Sequence, residues 1–197
     1  MKQSLQTFGL SLFIVLAFLT IGIGFLFGIT NPVPWIMIAI LVTLPFIHKQ
    51  IVARRYLAWN ERLATGITAI DNDHRKLVGL INNLQTAVYY PTGEAFERQA
   101  IHELVEYTLY HFSREEKWME QAGYPELDSH KQEHRQMVAK VEEFMSAYEQ
   151  DREKTVEEML AFLKSWLFNH IAISDQQYVP FMKAKGIDGE EQEVTAA

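Results

Sequence analysis

The sequence predicts an all-α protein, an up-down four-helix bundle preceded by a transmembrane helical hairpin. Three observations carry this. No Lys, Arg, Asp or Glu occurs from Gln3 to His48, whereas every acidic residue lies at Glu61 or later. Beyond Gly66, apolar residues recur at helical spacing in four segments, each closed by turn residues. Five of the seven histidines and two carboxylates then fall where such helices would bring them together: His74, His111 with Glu115, His130 with His134, and His170 with Asp175.

The first element is the apolar run Phe8 to Ile29, whose 22 residues can span a hydrocarbon core of about 30 Å as a helix. Asn31-Pro32-Val33-Pro34 breaks it. A second run, Trp35 to Ile47, is shorter and needs Val33 and flanking residues to cross. Either the two runs form a hairpin, or only the first spans and the second lies buried or at the interface. The distribution of positive charge favours the hairpin. Lys2 at one end, and Lys49, Arg54 and Arg55 at the other, would both face the cytoplasm. A cleaved signal peptide fits poorly, because the apolar run is too long and no A-x-A pattern follows it. The expected organisation is a membrane anchor over 1–50, a connector over 51–65, the bundle over 66–187 and a polar tail over 188–197. The soluble part is expected at the inner face of the cytoplasmic membrane. Residues 49–58 read as a basic helical extension of the second run.

Four bundle helices follow. The first runs from about Asp71 to Tyr90, with Leu77, Leu80, Ile81, Leu84 and Val88 on one face, and stops at Pro91-Thr92-Gly93. The second runs from about Glu94 to Gln121, closed by Gly123-Tyr124-Pro125. The third spans about Asp128 to Gln150, with Met137, Val141, Phe144 and Tyr148 as its stripe. The fourth starts near Thr155, a candidate cap ahead of Glu157 and Glu158, and ends before Gly186. Four amphipathic helices with short loops make a four-helix bundle.

Composition removes several classes of function. The chain has no cysteine, which excludes disulfides, thiolate metal sites and cysteine nucleophiles. Once Lys2, Lys49, Arg54 and Arg55 are set aside, 14 basic residues face 25 acidic ones, a balance of −11. Phosphate binding needs the opposite sign, so a nucleic-acid partner is not expected.

The histidines and carboxylates suit metal. His111/Glu115 and His130/His134 are i, i+4 pairs, about 40° apart around a helix, so both members reach one point. Imidazole and carboxylate are good ligands for first-row metals at neutral pH. A lone buried histidine is usually a hydrogen-bonded core residue, but two carboxylates buried in a bundle need cations. His102, nine residues before His111, lies about half a turn away and is expected to face solvent. Glu116 reads as a surface residue. His170 and Asp175 are five apart and share a face only through a π-bulge or a sideways reach.

The pattern resembles the hemerythrin family. It is carried by Trp59-Asn60, Gly66-Ile67, Ile70-Asp71-x-x-His74, His111-Phe112-x-x-Glu115-Glu116 and Gly123-Tyr124-Pro125. It continues with His130-x-x-x-His134 and Trp166-Leu167-x-x-His170-Ile171-x-x-x-Asp175-x-x-Tyr178. The resemblance implies a non-haem di-iron centre, oxo- or hydroxo-bridged, that binds dioxygen reversibly. One iron would take His130, His134 and His170, the other His74 and His111, with Glu115 and Asp175 bridging. Leu77, Phe112, Trp166, Leu167 and Ile171 would wall the oxygen pocket. Residues 1–50 lie outside the resemblance, and the third-to-fourth helix connection around Ser146–Lys154 looks lengthened. The expected function is oxygen storage, sensing, or delivery to a membrane oxidase or oxygenase, with no catalysis of its own. The competing expectation is a di-iron oxidase or a peroxide- or nitric-oxide-reducing enzyme. The absence of Glu-x-x-His motifs speaks against a ferritin-like oxidase.

Overall fold

The computed structural model of the chain describes residues 2–90 and 92–188, with side chains from Phe8 onward. All regular structure among these residues is helical. The chain divides into two compact units, 1–56 and 57–197.

The first unit is a pair of packed helices, α1 (Lys2–Leu26) and α2 (Pro32–Ala53). Asn31 caps α2 by accepting from the Val33 amide at 3.1 Å, and its side-chain amide donates to the Gly24 carbonyl at 3.0 Å. Gly24 leaves the room that the ring of Pro34 fills, since a Cβ there would lie 2.6 Å from that ring. Both helices are long and apolar enough to cross a membrane, and their large side chains, Phe18 and Leu26 among them, are exposed. The helix ends at Ala53 and does not run to residue 58 as expected; Arg54 and Arg55 turn out of it.

The second unit is the bundle: α3 (Thr68–Tyr89), α4 (Glu94–Ala122), α5 (Leu127–Tyr148) and α6 (Arg152–His170). A π-helical turn (Ile171–Asp175) and α7 (Gln176–Ala184) continue α6. Asp71 anchors the start of α3. Its carboxylate accepts from the Thr65 amide at 2.7 Å, the Thr65 hydroxyl at 2.9 Å and the Gly66 amide at 3.0 Å. Gly66 sits at φ 74°, where a side chain would be strained. α4 closes as expected at Gly123, in a left-handed conformation with φ 69°. The Tyr124 amide donates to the Met119 carbonyl and the Gly123 amide to that of Glu120, the pairing of a Schellman cap.

Two expectations are corrected at α6. Its cap is Asp151, which accepts from the Lys154 amide at 3.3 Å, while Thr155 is buried one turn inside. The connection from α5 spans only residues 149–151, so the added length lies in the helices. The polar tail lies outside the described residues beyond Asp188.

Apolar packing is split into two clusters. The larger holds Leu77, Leu104, Phe112, Met137, Leu163, Leu167 and Ile171; the smaller holds Ile67, Ile70, Met119, Tyr124, Tyr178 and Met182. Along the chain the split recurs at one level: Ile70 then Leu77 on α3, Phe112 then Met119 on α4, Ile171 then Tyr178 after α6. Between them lies a polar layer.

Candidate metal centre

All seven expected ligands occupy that layer, each at most 6% exposed. Donor atoms of Glu115, His130, His134 and His170 lie within 4.8 Å of one another, and so do those of His74, His111 and Glu115. Glu115 therefore belongs to both groups. Asp175 joins them too: its Oδ2 lies 3.2 Å from His74 Nε2, and its Oδ1 lies 3.1 Å from His170 Nε2 and 3.6 Å from His130 Nε2. The π-helical turn makes this possible, because its wider winding returns residue 175 to the face of residue 170. His102 faces solvent, 72% exposed in its side chain.

Several donor atoms of the layer are satisfied by no protein group. His74 Nδ1 and Nε2, Glu115 Oε2, His130 Nε2 and both Asp175 oxygens are buried and make no hydrogen bond. His134 Nε2 and His170 Nε2 approach to 3.0 Å, an arrangement that a shared cation or proton would hold. Orphaned buried polar atoms are rare in folded proteins. Burial favours a neutral Glu115, yet the neighbouring imidazoles of His111, His130 and His134 hold its carboxyl well below the usual range. Burial and the charge of Glu115 push Asp175 upward; His170 and His74 outweigh them and leave it lowered. Burial opposes charge on His134, but the adjacent carboxylates of Glu115 and Glu116 lift it to about 9. The charge so favoured on His134 stands where a cation would, and metal uptake would release that proton. The residues fit a cation pair.

The sequence reading missed the residues behind the ligands. Asp73 Oδ2 lies 3.4 Å from His111 Nδ1, Glu116 Oε1 lies 2.8 Å from His134 Nδ1, and Glu133 Oε2 lies 3.1 Å from His170 Nδ1. Each helix thus supplies a carboxylate to the histidine of the next: α3 to α4, α4 to α5, α5 to α6. Glu116 is accordingly not a free surface residue; its side chain is 27% exposed and turned onto His134. Asp73 is held in turn by the Tyr107 hydroxyl at 2.5 Å and by Arg114 at 3.1 Å. The Tyr178 hydroxyl donates to Glu115 Oε1. One signal was available: Asp73, Glu116 and Glu133 each adjoin a ligand in sequence.

Around the layer, Phe112 stacks on His134 with ring centres 3.6 Å apart, and Trp166 stacks on His170 at 4.3 Å. Leu77, Leu167 and Ile171 are buried in the same cluster. A groove of about 520 Å³ between α4 and α5, lined by Glu116, Lys117, Lys131 and Arg135, reaches His134 from outside.

Fold and donor layer define a class first: a helical bundle with a buried cation-binding layer. The chain belongs to the hemerythrin HHE cation binding domain family, which matches residues 65–182. It is 38% identical over 128 residues to a bacteriohemerythrin of Stenotrophomonas maltophilia (strain R551-3), covering 65% of this chain and 82% of that protein. With a bacteriohemerythrin of Pseudomonas aeruginosa (strain LESB58) it shares 40% over 124 residues, 63% of this chain and 80% of the relative. A crystal structure of wild-type hemerythrin matches with a TM-score of 0.59 and 24% identity, over 64% of this chain and 97% of that one. At that identity the likeness bears on the fold alone.

Proposed function

We propose that this protein binds dioxygen reversibly at a non-haem di-iron centre in its bundle and that it is a carrier with no catalysis of its own. The observation that carries the reading is the buried convergence of five histidines and two carboxylates, with atoms of His74, Glu115, His130 and Asp175 left without a hydrogen-bond partner. His130, His134 and His170 would hold one iron and His74 and His111 the other, with Glu115 and Asp175 between them. When bound, a pair of irons supplies the two electrons that dioxygen takes up on binding and returns on release.

The rest falls to the chain's own residues. Asp73, Glu116 and Glu133 accept from Nδ1–H of three histidines, which fixes the tautomer and leaves Nε2 free to ligate. Tyr178 donates to Glu115 and sets the plane of that carboxylate. Leu77, Phe112, Trp166, Leu167 and Ile171 exclude water, whose protons would otherwise promote irreversible oxidation. Histidine outnumbers carboxylate in the layer, which suits reversible binding better than oxidative attack.

In the same reading α1 and α2 anchor the protein in the lipid of the cytoplasmic membrane, with the bundle on the cytoplasmic side. Support comes from their apolar length and exposed apolar faces, and from Lys2, Lys49, Arg54 and Arg55 at the cytoplasmic ends. A membrane oxidase or oxygenase is the recipient this placement suits.

The test is optical. Purified full-length protein, loaded with iron and reduced, should gain charge-transfer absorption on aeration and lose it under inert gas, through several cycles. Sustained turnover of peroxide or nitric oxide, or irreversible oxidation at the first aeration, would replace the carrier with an enzyme.

A further inference from the structure

The metal layer meets a second groove, between α5 and α6. It holds about 320 Å³, and Glu133, Phe162, Trp166, Asn169, His170 and Ser174 are among its walls. One of the seven expected ligands, His170, therefore borders this groove directly. Trp166 lies on that ligand nearly face to face, the rings 17° from parallel and their centres 4.3 Å apart. Phe162, half-buried one helical turn away, packs on Phe144 with ring centres 5.8 Å apart. The groove thus presents two aromatic side chains, one of them stacked on a ligand.

The two grooves differ in charge. The one that meets His134 is bordered by three acidic and three basic side chains. The one that meets His170 is bordered by a single carboxylate, Glu133, and by no lysine or arginine. Glu133 Oε2 accepts from the Ser174 hydroxyl at 2.6 Å and lies 3.1 Å from His170 Nδ1. Its Oε1 makes no hydrogen bond among the described residues, and the side chain is 45% exposed. An electron carrier with a phosphate, such as a flavin or nicotinamide nucleotide, would meet only repulsion there. A flat, neutral ring with hydroxyl groups fits instead. It can stack on Trp166 and Phe162 and donate to Glu133.

We infer that the groove between α5 and α6 is a binding site for a quinol, which docks against Trp166 and Phe162 and reduces the metal centre through the stacked His170. The electron-transfer part rests on the di-iron reading above. A pair of irons that has been oxidised irreversibly has no electrons left to give dioxygen, and must gain two to return. A quinol carries two. Its two O–H bonds break, quinone leaves, each iron(III) takes one electron, and two protons pass to water in the open groove. Electron tunnelling falls off exponentially with distance. Contact between Trp166 and His170 brings the docked ring close to the metal with no need to enter the bundle.

Duroquinone, a small tetramethyl quinone, tests the site, and its reduced form tests the route. In iron-free full-length protein in detergent, the indole N–H resonance of Trp166 should shift with duroquinone and saturate, while those of Trp59 and Trp118 stay in place. Asn169→Phe, an exposed position in the groove, should fill it and weaken that binding about tenfold. In iron-loaded, oxidised protein, reduction by duroquinol should saturate with its concentration and slow in the same variant. Lys131→Glu, in the other groove, should keep the wild-type rate, and dithionite should reduce all three proteins alike. A Trp166 resonance that does not saturate, or that titrates equally in Asn169→Phe, overturns the site. Duroquinol reduction unchanged in that variant overturns the route, and so does equal slowing with dithionite. If aeration of the wild type proves irreversible while these results hold, the carrier reading falls and the quinol site stands. If oxygenation is reversible and Trp166 does not titrate, the carrier stands and this inference falls.

Discussion

His102 and His111 lie on one helix and have opposite surroundings, because nine residues turn a helix by about half a revolution. That much is legible in spacing alone. It predicts that His111→Ala loses iron while His102→Ala keeps the wild-type content, measured by metal analysis of purified protein; equal loss in both would refute the assigned phase of α4. Glu116 was not legible in this way. Spacing puts it about 100° from Glu115, and only the close approach of α5 turns it onto His134. A carboxylate behind a ligating histidine is typically worth 10–100-fold in metal affinity, so Glu116→Ala should weaken iron binding by about that factor in chelator competition. Glu116→Gln, which keeps an acceptor and removes the charge, should lie between the two. Wild-type affinity in Glu116→Ala would reduce that contact to packing.

At the level of elements, Pro, Gly and apolar periodicity marked the ends of α4 and α5 to within about two residues, while α3 and α6 each started three residues early. Asp151 outcompetes Thr155 as cap because the chain has already entered helix before Thr155. Sequence left two alternatives for residues 170–175, and the π-helical turn is the one adopted. Such a turn holds one residue more than regular helix needs. Deleting Ile173, which is exposed, would leave His170 and Asp175 four apart and still about 40° from each other. We expect iron content and helicity near wild type in that deletion. Deleting Gln132 from the regular helix of α5 should instead turn Met137 and Val141 out of the core and abolish iron binding. The far ends of α4 and α5 carry a different device. Tyr148 donates to buried Glu97 at 2.6 Å, and burial with that hydrogen bond pushes its phenol above the ordinary value. A raised folded value means the contribution is complete below about pH 10 and fades above it, as the unfolded chain ionises first. Chemical denaturation from pH 8 to 11 should therefore show a steeper alkaline loss of stability in the wild type than in Tyr148→Phe.

For the whole molecule, the uncharged stretch before Lys49 announced two apolar helices, and the histidines announced one polar layer. What sequence could not show is that the layer separates two apolar clusters, because that depends on how four helices align in height. The alignment has a thermodynamic consequence. Ligands arise from α3, α4, α5, the end of α6 and the turn after it, so an ion bound by them contacts every strut of the bundle and has no equivalent site in the unfolded chain. A ligand that binds only the folded state adds about 2.7 kcal/mol when its free concentration is a hundred times Kd. In a chain of this size each kcal/mol moves Tm by roughly 2–4 °C. Removing iron with a chelator should then lower the melting temperature of the bundle by roughly 5–10 °C, read by near-ultraviolet circular dichroism, which follows its packed aromatic rings. A melting temperature indifferent to chelation would mean that these seven side chains do not share an ion in the folded protein.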